Sequence, residues 1–555
     1  GESSHVCGYY GTRKALPAAE VVVLPYSLLL SEKSRSSIGL SLMNALVIVD
    51  EAHNVPEALC SLSAIKVTLP MVETASVHLS AYTERYSARL AGRNLFYISQ
   101  IRRCLVAMTK FMSNPAPSRL MSKAELIFAL KLDNINFVKV DRYLTRSGLS
   151  QKLLGFMHIT QRGDNHDMEE PIEGMANDND PNFVSKHISP LSVIQQFFLC
   201  LTSGQNEGKI AVEWPSDSKS ASHPTFRHVL LDPPALFDNV RRAAHSIILA
   251  GGTMRPFAPF TREVLGNLIA LQEAAKADEQ LLNCSFEEEI SRNHFSKMLT
   301  TFTCSHVVPS SNVNIFCLSS GPTSTKLDLR HAFRNTNGVC DELGRVLFNL
   351  SGIVPSGLVV FLPSYNYENH AVRRWKETGI WKQINQRKKI YIEPKNARDV
   401  EETLKCYSED ASSETAGALL LSVVGGKMSE GINFADEMCR CVLVAGLPYP
   451  DITSPELKEK MKLFDSEVKD NGFGITGSKY YHNLCMRAIN QSIGRSIRHS
   501  NDYAAVVLAD VRYAEDRRVW LGLPEWLRCG LRTCSNDASN FGQNIHALRS
   551  FFKSK

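Results

Sequence analysis

The sequence predicts an α/β protein built on two doubly wound parallel sheets, the first interrupted by a long, mainly helical insertion. Three observations carry this expectation. Short apolar runs without polar alternation recur at 45–50, 245–250, 314–318, 357–362, 417–424, 440–445 and 503–509, as in strands buried on both faces. Helix-like segments separate several of these runs, which suits parallel pairing. The stretch from 54 to 250 is far longer than a connection between neighbouring elements, so it holds structure of its own.

Composition sets the outer bounds. At 555 residues the chain is too long for one core, and length alone suggests about three to four domains. Its 44% hydrophobic and 21% charged residues are ordinary for a soluble globular protein. A net charge of +5 permits a nucleic-acid partner without arguing for one, so any basic track must be local. Fourteen cysteines without a CxxC pair suit a reducing compartment and buried thiols. No apolar run approaches the roughly 18 residues of a membrane span, and nothing resembles a signal peptide, so no membrane partner is expected. A chain that starts at Gly1, not Met, suggests a fragment or a processed product.

In chain order, Cys7 comes first, beside two tyrosines and with no ligand partner set by spacing. A strand-like run comes next at 20–26. The following strand, 45–50, ends in Asp50-Glu51-Ala52-His53. In open α/β sheets ligands sit at the carboxyl ends of strands. There an Asp can hold Mg²⁺ through its water shell, and a Glu can orient water for attack on a γ-phosphate. A bare acidic pair is more often a solvated turn; the four residues together after a strand favour the nucleotide reading. Residues 71–112 are helix-like, with Arg85, Arg89, Arg93, Arg102, Arg103 and Lys110 between the apolar positions, a solvated face or a strand-guiding track. The acidic stretch 162–182 reads as a disordered loop, and 189–202 as an apolar helix. After the run at 245–250, Gly251 and Gly252 allow a close backbone approach and Thr253 offers a hydroxyl, unless the three form only a tight turn.

The later strands end in two loops with unusual chemistry. One is Pro363-Ser364-Tyr365. The other, 425–431, carries three glycines with Lys427, Ser429 and Glu430, and its N–H groups suit phosphates or a sugar-phosphate backbone. It is not a Walker A loop, because Met428 follows Lys427 and Leu421 stands where the first glycine belongs; no Walker A match occurs anywhere. On a helix through 488–499, Gln491, Arg495 and Arg498 point the same way within roughly 40°. Ile489, Ile493 and Ile497 supply its apolar side. Two guanidiniums and an amide suit a γ-phosphate that gains charge in the transition state, whereas a plain basic surface helix would set two arginines in mutual repulsion.

The order Asp-Glu-Ala-His, Gly-Gly-Thr, Ser-Glu-Gly, Gln-x-x-Gly-Arg-x-x-Arg resembles motifs II, III, V and VI of superfamily 2 helicases. The wording of 251–254, 423–434 and 491–499 is similar to the XPD-like iron–sulfur DNA helicases, within them to the branch that serves sister-chromatid cohesion. The resemblance runs nearly end to end and is weakest at 162–182. It implies two RecA-like domains, the first interrupted by a helical Arch-like insertion. The expected boundaries are 1–58 and 226–256 for domain one, 59–225 for the insertion and 257–555 for domain two.

It further implies an ATP-dependent, 5′→3′ DNA helicase of the nucleus, working on single-stranded and forked DNA in replication, repair or cohesion, with proteins of those processes as partners. Asp50, Glu51, Gln491, Arg495 and Arg498 become the catalytic set, with Asp50 also on Mg²⁺. His53, Gly252, Thr253, Glu430 and Gly431 would couple ATP state to strand movement, and Ser364, Tyr365, Lys427 and Ser429 would meet DNA. Cys7 matches the last of four cysteines around a [4Fe–4S] cluster. Walker A and the other three cysteines would precede residue 1, so the chain alone is expected to show no DNA-stimulated ATPase. Two other readings remain open: a truncated, inactive paralogue that binds DNA or protein, favoured by the missing Walker A and opposed by intact Glu51, Arg495 and Arg498; and a DEAH RNA helicase, which fits neither Cys7 nor the insertion.

Overall fold

The computed structural model describes residues 7–163, 189–202, 208–215, 223–266, 291–295, 299–304, 306, 308–413, 417–428, 434, 436–471, 474–531 and 541–555. The described strands are β1 (Leu46–Val49), β2 (Lys66–Thr68), β3 (Arg119–Ser122), β4 (Gly208–Glu213), β5 (Thr225–Leu230), β6 (Ser246–Leu249), β7 (Ser291–Phe295), β8 (Thr300–Cys304), β9 (Val313–Leu318), β10 (Leu358–Leu362), β11 (Lys389–Ile392), β12 (Ala418–Val423), β13 (Cys441–Ala445) and β14 (Ala504–Ala509). No described helix is long and apolar enough to cross a membrane.

The second half holds a six-stranded sheet in the order β11-β12-β10-β13-β14-β9, every pairing parallel. Strands β10, β12, β13 and β14 are buried at every position, because separate apolar cores cover the two faces of the sheet. This is the doubly wound sheet the sequence predicts, and each of the five expected runs lies within about a residue of an observed strand, as helix and strand ends commonly do. Strand order also builds one edge of this sheet: β12 lies between β11 and β10, so the loops after these three strands meet at a common carboxyl edge.

The first half pairs β1 with β6 in parallel, Leu46 opposite Ser246 and Val49 opposite Leu249. Burial on both faces is not found here. Val47 and Val49 pack into a core with Leu30, Val55, Leu59, Phe237 and Val264, whereas Leu46 is 57% and Ile48 64% exposed. The apolar core covers one face only. The strand-like run at 20–26 also needs correction. Val21 and Val23 are exposed, and Pro25 caps the helix Tyr26–Leu30.

Between the two strands of the first sheet, the chain builds a unit with its own core. The helices Leu69–Tyr86, Gly92–Met112, Phe137–Ser147, Leu149–Gly163 and Pro190–Thr202 account for most of it. The helix-like stretch 71–112 is two helices, parted at the short turn Ser87–Arg89. Its six basic side chains are all exposed. Unforeseen is a four-stranded antiparallel sheet, β2-β5-β4-β3, against which these helices pack; Phe226 of β5 stacks on Phe197 at 5.8 Å. Most of the acidic stretch 162–182 lies outside the described residues.

Candidate functional site

The chain leaves β1 into a turn that the backbone does not adopt readily. Glu51 has φ 46° and ψ 44°, the left-handed region, which costs a non-glycine residue about 1 kcal/mol or more. Several contacts hold it there. Asp50 Oδ1 accepts the Glu51 N–H at 2.9 Å, and the Ala52 N–H donates to the Ala250 carbonyl at 2.8 Å, tying the turn to the end of β6. The Tyr26 hydroxyl bridges the carbonyls of Asp50 and Glu51. Burial and the two neighbouring carboxylates raise the Tyr26 pKa, so the phenol keeps the proton it donates. Nothing in the sequence singled out Tyr26 beyond its aromatic character.

Beyond this turn a cavity of about 2720 Å³ opens between the two halves. One wall carries Glu51, His53, Gly251, Gly252 and Thr253; the other carries Arg487, Gln491, Arg495 and Arg498. The structure therefore brings two of the expected motifs from the first half and one from the second into one cleft. Asp50 does not line it. His53 Nδ1 lies 3.3 Å from Glu51 Oε2, and the His53 carbonyl accepts Arg487 Nη1 at 3.4 Å across the cleft. Burial lowers the His53 pKa; Glu51 opposes this, and Arg487 and Arg495 reinforce it, so the ring is neutral near pH 7. Thr253 Oγ1 is buried with no hydrogen-bond partner, which leaves a hydroxyl available in the cleft. Arg487 was not singled out by sequence, because it stands one turn ahead of the Gln-x-x-Gly-Arg pattern.

The common helical face expected for Gln491, Arg495 and Arg498 is not what forms. The helix Gly477–Ile493 ends before Gly494, Gly494–Ser496 is a single 3₁₀ turn, and Ile497 is extended. Gly494 still has helical dihedrals and bonds the Asn490 carbonyl; beyond it Asp502, only 1% exposed, replaces helical geometry as the anchor. Its Oδ2 accepts the Arg498 N–H at 3.1 Å while its Oδ1 pairs with Arg440 at 2.8 Å. Asp436 and His499 join the same network at 3.0 Å; Arg440 lies against both acids, which makes this an ion-pair cluster.

The residues expected to meet DNA lie elsewhere, at the carboxyl edge of β10–β12. Ser364 caps the helix Tyr365–Glu377, its Oγ accepting the Tyr367 N–H at 3.2 Å. The hydroxyl proton of Ser364 is left to donate. Tyr365 gives its hydroxyl to Glu393 at 2.9 Å, so only its ring can face a ligand. Lys427 is exposed, its ammonium on the Lys395 carbonyl. Ser429, Glu430 and Gly431 lie outside the described residues. Cys7 is exposed at the start of the helix Gly8–Ala15, and among the described residues it joins no group of three or more metal-ligating side chains.

A family model described as the helicase C-terminal domain matches residues 347–530, and the DEAD_2 model matches 1–71. The mouse ATP-dependent DNA helicase DDX11 is 36% identical over 601 residues, an alignment covering 100% of this chain and 62% of the mouse protein. The Schizosaccharomyces pombe ATP-dependent DNA helicase chl1 is 31% identical over 565 residues, with 100% and 63% covered. The chain thus spans a little over three-fifths of the length of these relatives. Among solved structures, S. tokodaii Xpd4 superposes with a TM-score of 0.50 at 16% identity, covering 92% of this chain and 83% of that one, a likeness of fold alone.

Proposed function

From the similarity to the DDX11 and CHL1 DNA helicases we propose that the chain forms the motor of a nuclear ATP-dependent DNA helicase that works on single-stranded and forked DNA in replication, repair or cohesion. The observation that carries this reading is the cleft, in which the turn after β1 faces the arginines of the second half. ATP would lie between the two walls. Glu51, exposed and lining the cavity, would orient and polarise the attacking water, while Gln491, Arg495 and Arg498 would meet the charge that builds on the γ-phosphoryl group. His53, neutral and in contact with Arg487, and Thr253, with its unused hydroxyl, stand where closure of the cleft would be felt. With Gly252, Glu430 and Gly431 they are proposed to relay nucleotide state to the strand.

Asp50 would hold Mg²⁺ through water, and the ion would neutralise phosphate charge. The donors fit this only in part, since one Asp50 oxygen is already used on the Glu51 N–H. A [4Fe–4S] cluster does not fit the described residues, where Cys7 stands without a ligand group, so no step passes through one. DNA would run along Ser364, the ring of Tyr365, Lys427 and Ser429, a set rich in phosphate donors, and binding should weaken with salt.

The test uses the full-length protein. Glu51→Gln should bind ATP with near-normal affinity and lose about 10³-fold or more in turnover, because charge stabilisation and water orientation carry phosphoryl transfer. Normal DNA-stimulated hydrolysis by Glu51→Gln would remove the basis of the proposal.

A further inference from the structure

One buried carboxylate has no part in that mechanism. Glu393 follows β11 directly and is 3% exposed. Its oxygens receive four hydrogen bonds. Tyr365 Oη and the Met428 N–H donate to Oε1 at 2.9 and 3.1 Å, and Ser422 Oγ and the Val423 N–H donate to Oε2 at 2.6 and 2.9 Å. The strand order explains the convergence. Because β12 lies between β11 and β10, a side chain at the end of β11 reaches over the end of β12 to the loop after β10. Gly426 completes the fit: a Cβ there would stand 2.3 Å from Glu393 Oε1 and 2.8 Å from Tyr365 Oη. Any other residue at 426 would push the carboxylate or the phenol away.

We propose that Glu393 is a positioning residue for DNA engagement, a single anion that locks the Ser364–Tyr365 loop and the 425–428 loop into one rigid unit. This rests on the reading of those two loops as DNA contacts. All four partners donate, two of them are backbone N–H groups on opposite oxygens, and neither N–H can turn to accept. Burial and the neighbouring Glu393 push the Tyr365 pKa up to about 12, which keeps the phenol a donor. A glutamine of the same size must present its NH₂ to either Val423 or Met428, whichever way the amide is turned. One wall of the lock then opens while the packing volume stays the same.

The experiment compares Glu393→Gln and Gly426→Ala with wild type in the full-length helicase. It measures the concentration of oligothymidine that half-saturates ATPase stimulation, the KM for ATP and the thermal midpoint. Orphaning one buried backbone donor should raise the oligothymidine requirement about tenfold, with the ATP KM changed less than about twofold. Gly426→Ala, which displaces the same carboxylate by another route, should shift the same quantity in the same direction, and it carries the test alone if Glu393→Gln does not fold. Two results would overturn the proposal: an oligothymidine requirement within about twofold of wild type in both variants, or equal losses for ATP and DNA that track a lower thermal midpoint. If wild type itself is not stimulated by oligothymidine, the DNA-helicase reading has failed instead.

Discussion

Glu51 and Glu393 are both glutamates just past the end of a parallel strand, and they have opposite surroundings. Glu51 is 62% exposed in a left-handed turn, and the His53 ring lies 3.3 Å from one of its oxygens. Glu393 is sealed in and bonded through both oxygens. The difference separates two uses of one functional group. A carboxylate whose valences are filled by its own chain can order loops but has nothing to offer a ligand. One held in a strained turn with its oxygens open can act on water.

The largest expected effect breaks the open side of this comparison. Arg495→Ala in the full-length protein should cut turnover about 10³-fold or more and abolish unwinding, while single-stranded DNA affinity stays close to wild type. Steady-state ATPase and strand-separation assays check it; normal unwinding would mean that the arginine wall does not face the reacting phosphate.

The next effect concerns a third carboxylate, closed like Glu393 but set between the two halves. Glu263 is buried, accepting Lys460 Nζ at 2.6 Å and Tyr480 Oη at 3.1 Å. Lys460→Met should cost about 3–5 kcal/mol by stranding that charge, whereas Lys460→Met combined with Glu263→Leu should recover most of the loss. Urea unfolding of the three forms decides the matter. Equal stability of the single and double variants would show that the acid does not depend on its partner.

Legibility in the sequence divides along the same line. The strands of the second sheet could be read because burial on both faces writes a continuous apolar run. The residues of the two cleft walls could be picked out because they stand in compact motifs of fixed spacing, and the structure sets those motifs in one cavity. The run at 21–23 misled because β-branched composition says nothing about a partner strand, and these valines have none among the described residues. The sheet β2–β5 was hidden by short strands set among strongly helical segments. Helical spacing for Arg498 failed beyond Gly494, where a tertiary anchor, Asp502, sets the position instead. Glu393 left no trace at all: a lone glutamate after a four-residue strand becomes significant only when β12 is found beneath it.

The smallest effect sharpens the closed side. Glu368, in the helix Tyr365–Glu377, is 2% exposed, and its Oε1 has no hydrogen-bond partner. Burial and then the charge of Glu393 push its pKa from about 4.5 up to about 7, against a smaller opposing pull from Lys395. The folded chain therefore holds a proton that the unfolded chain has released, so stability falls as pH rises between these two values and the penalty is complete above about 7. Glu368→Gln mimics the protonated form. It should flatten the pH dependence of unfolding in that window and gain about 1–3 kcal/mol over wild type near pH 8. In Glu393→Gln the like charge is gone, so the residual pH dependence should move to lower pH, which a mere loss of packing would not do. Parallel unfolding profiles for wild type and Glu368→Gln from about pH 5 to 8 would mean that Glu368 is already ionised beside Glu393. The lock would then have to hold two neighbouring anions, and its tolerance for one of them could no longer come from saturation of that carboxylate alone.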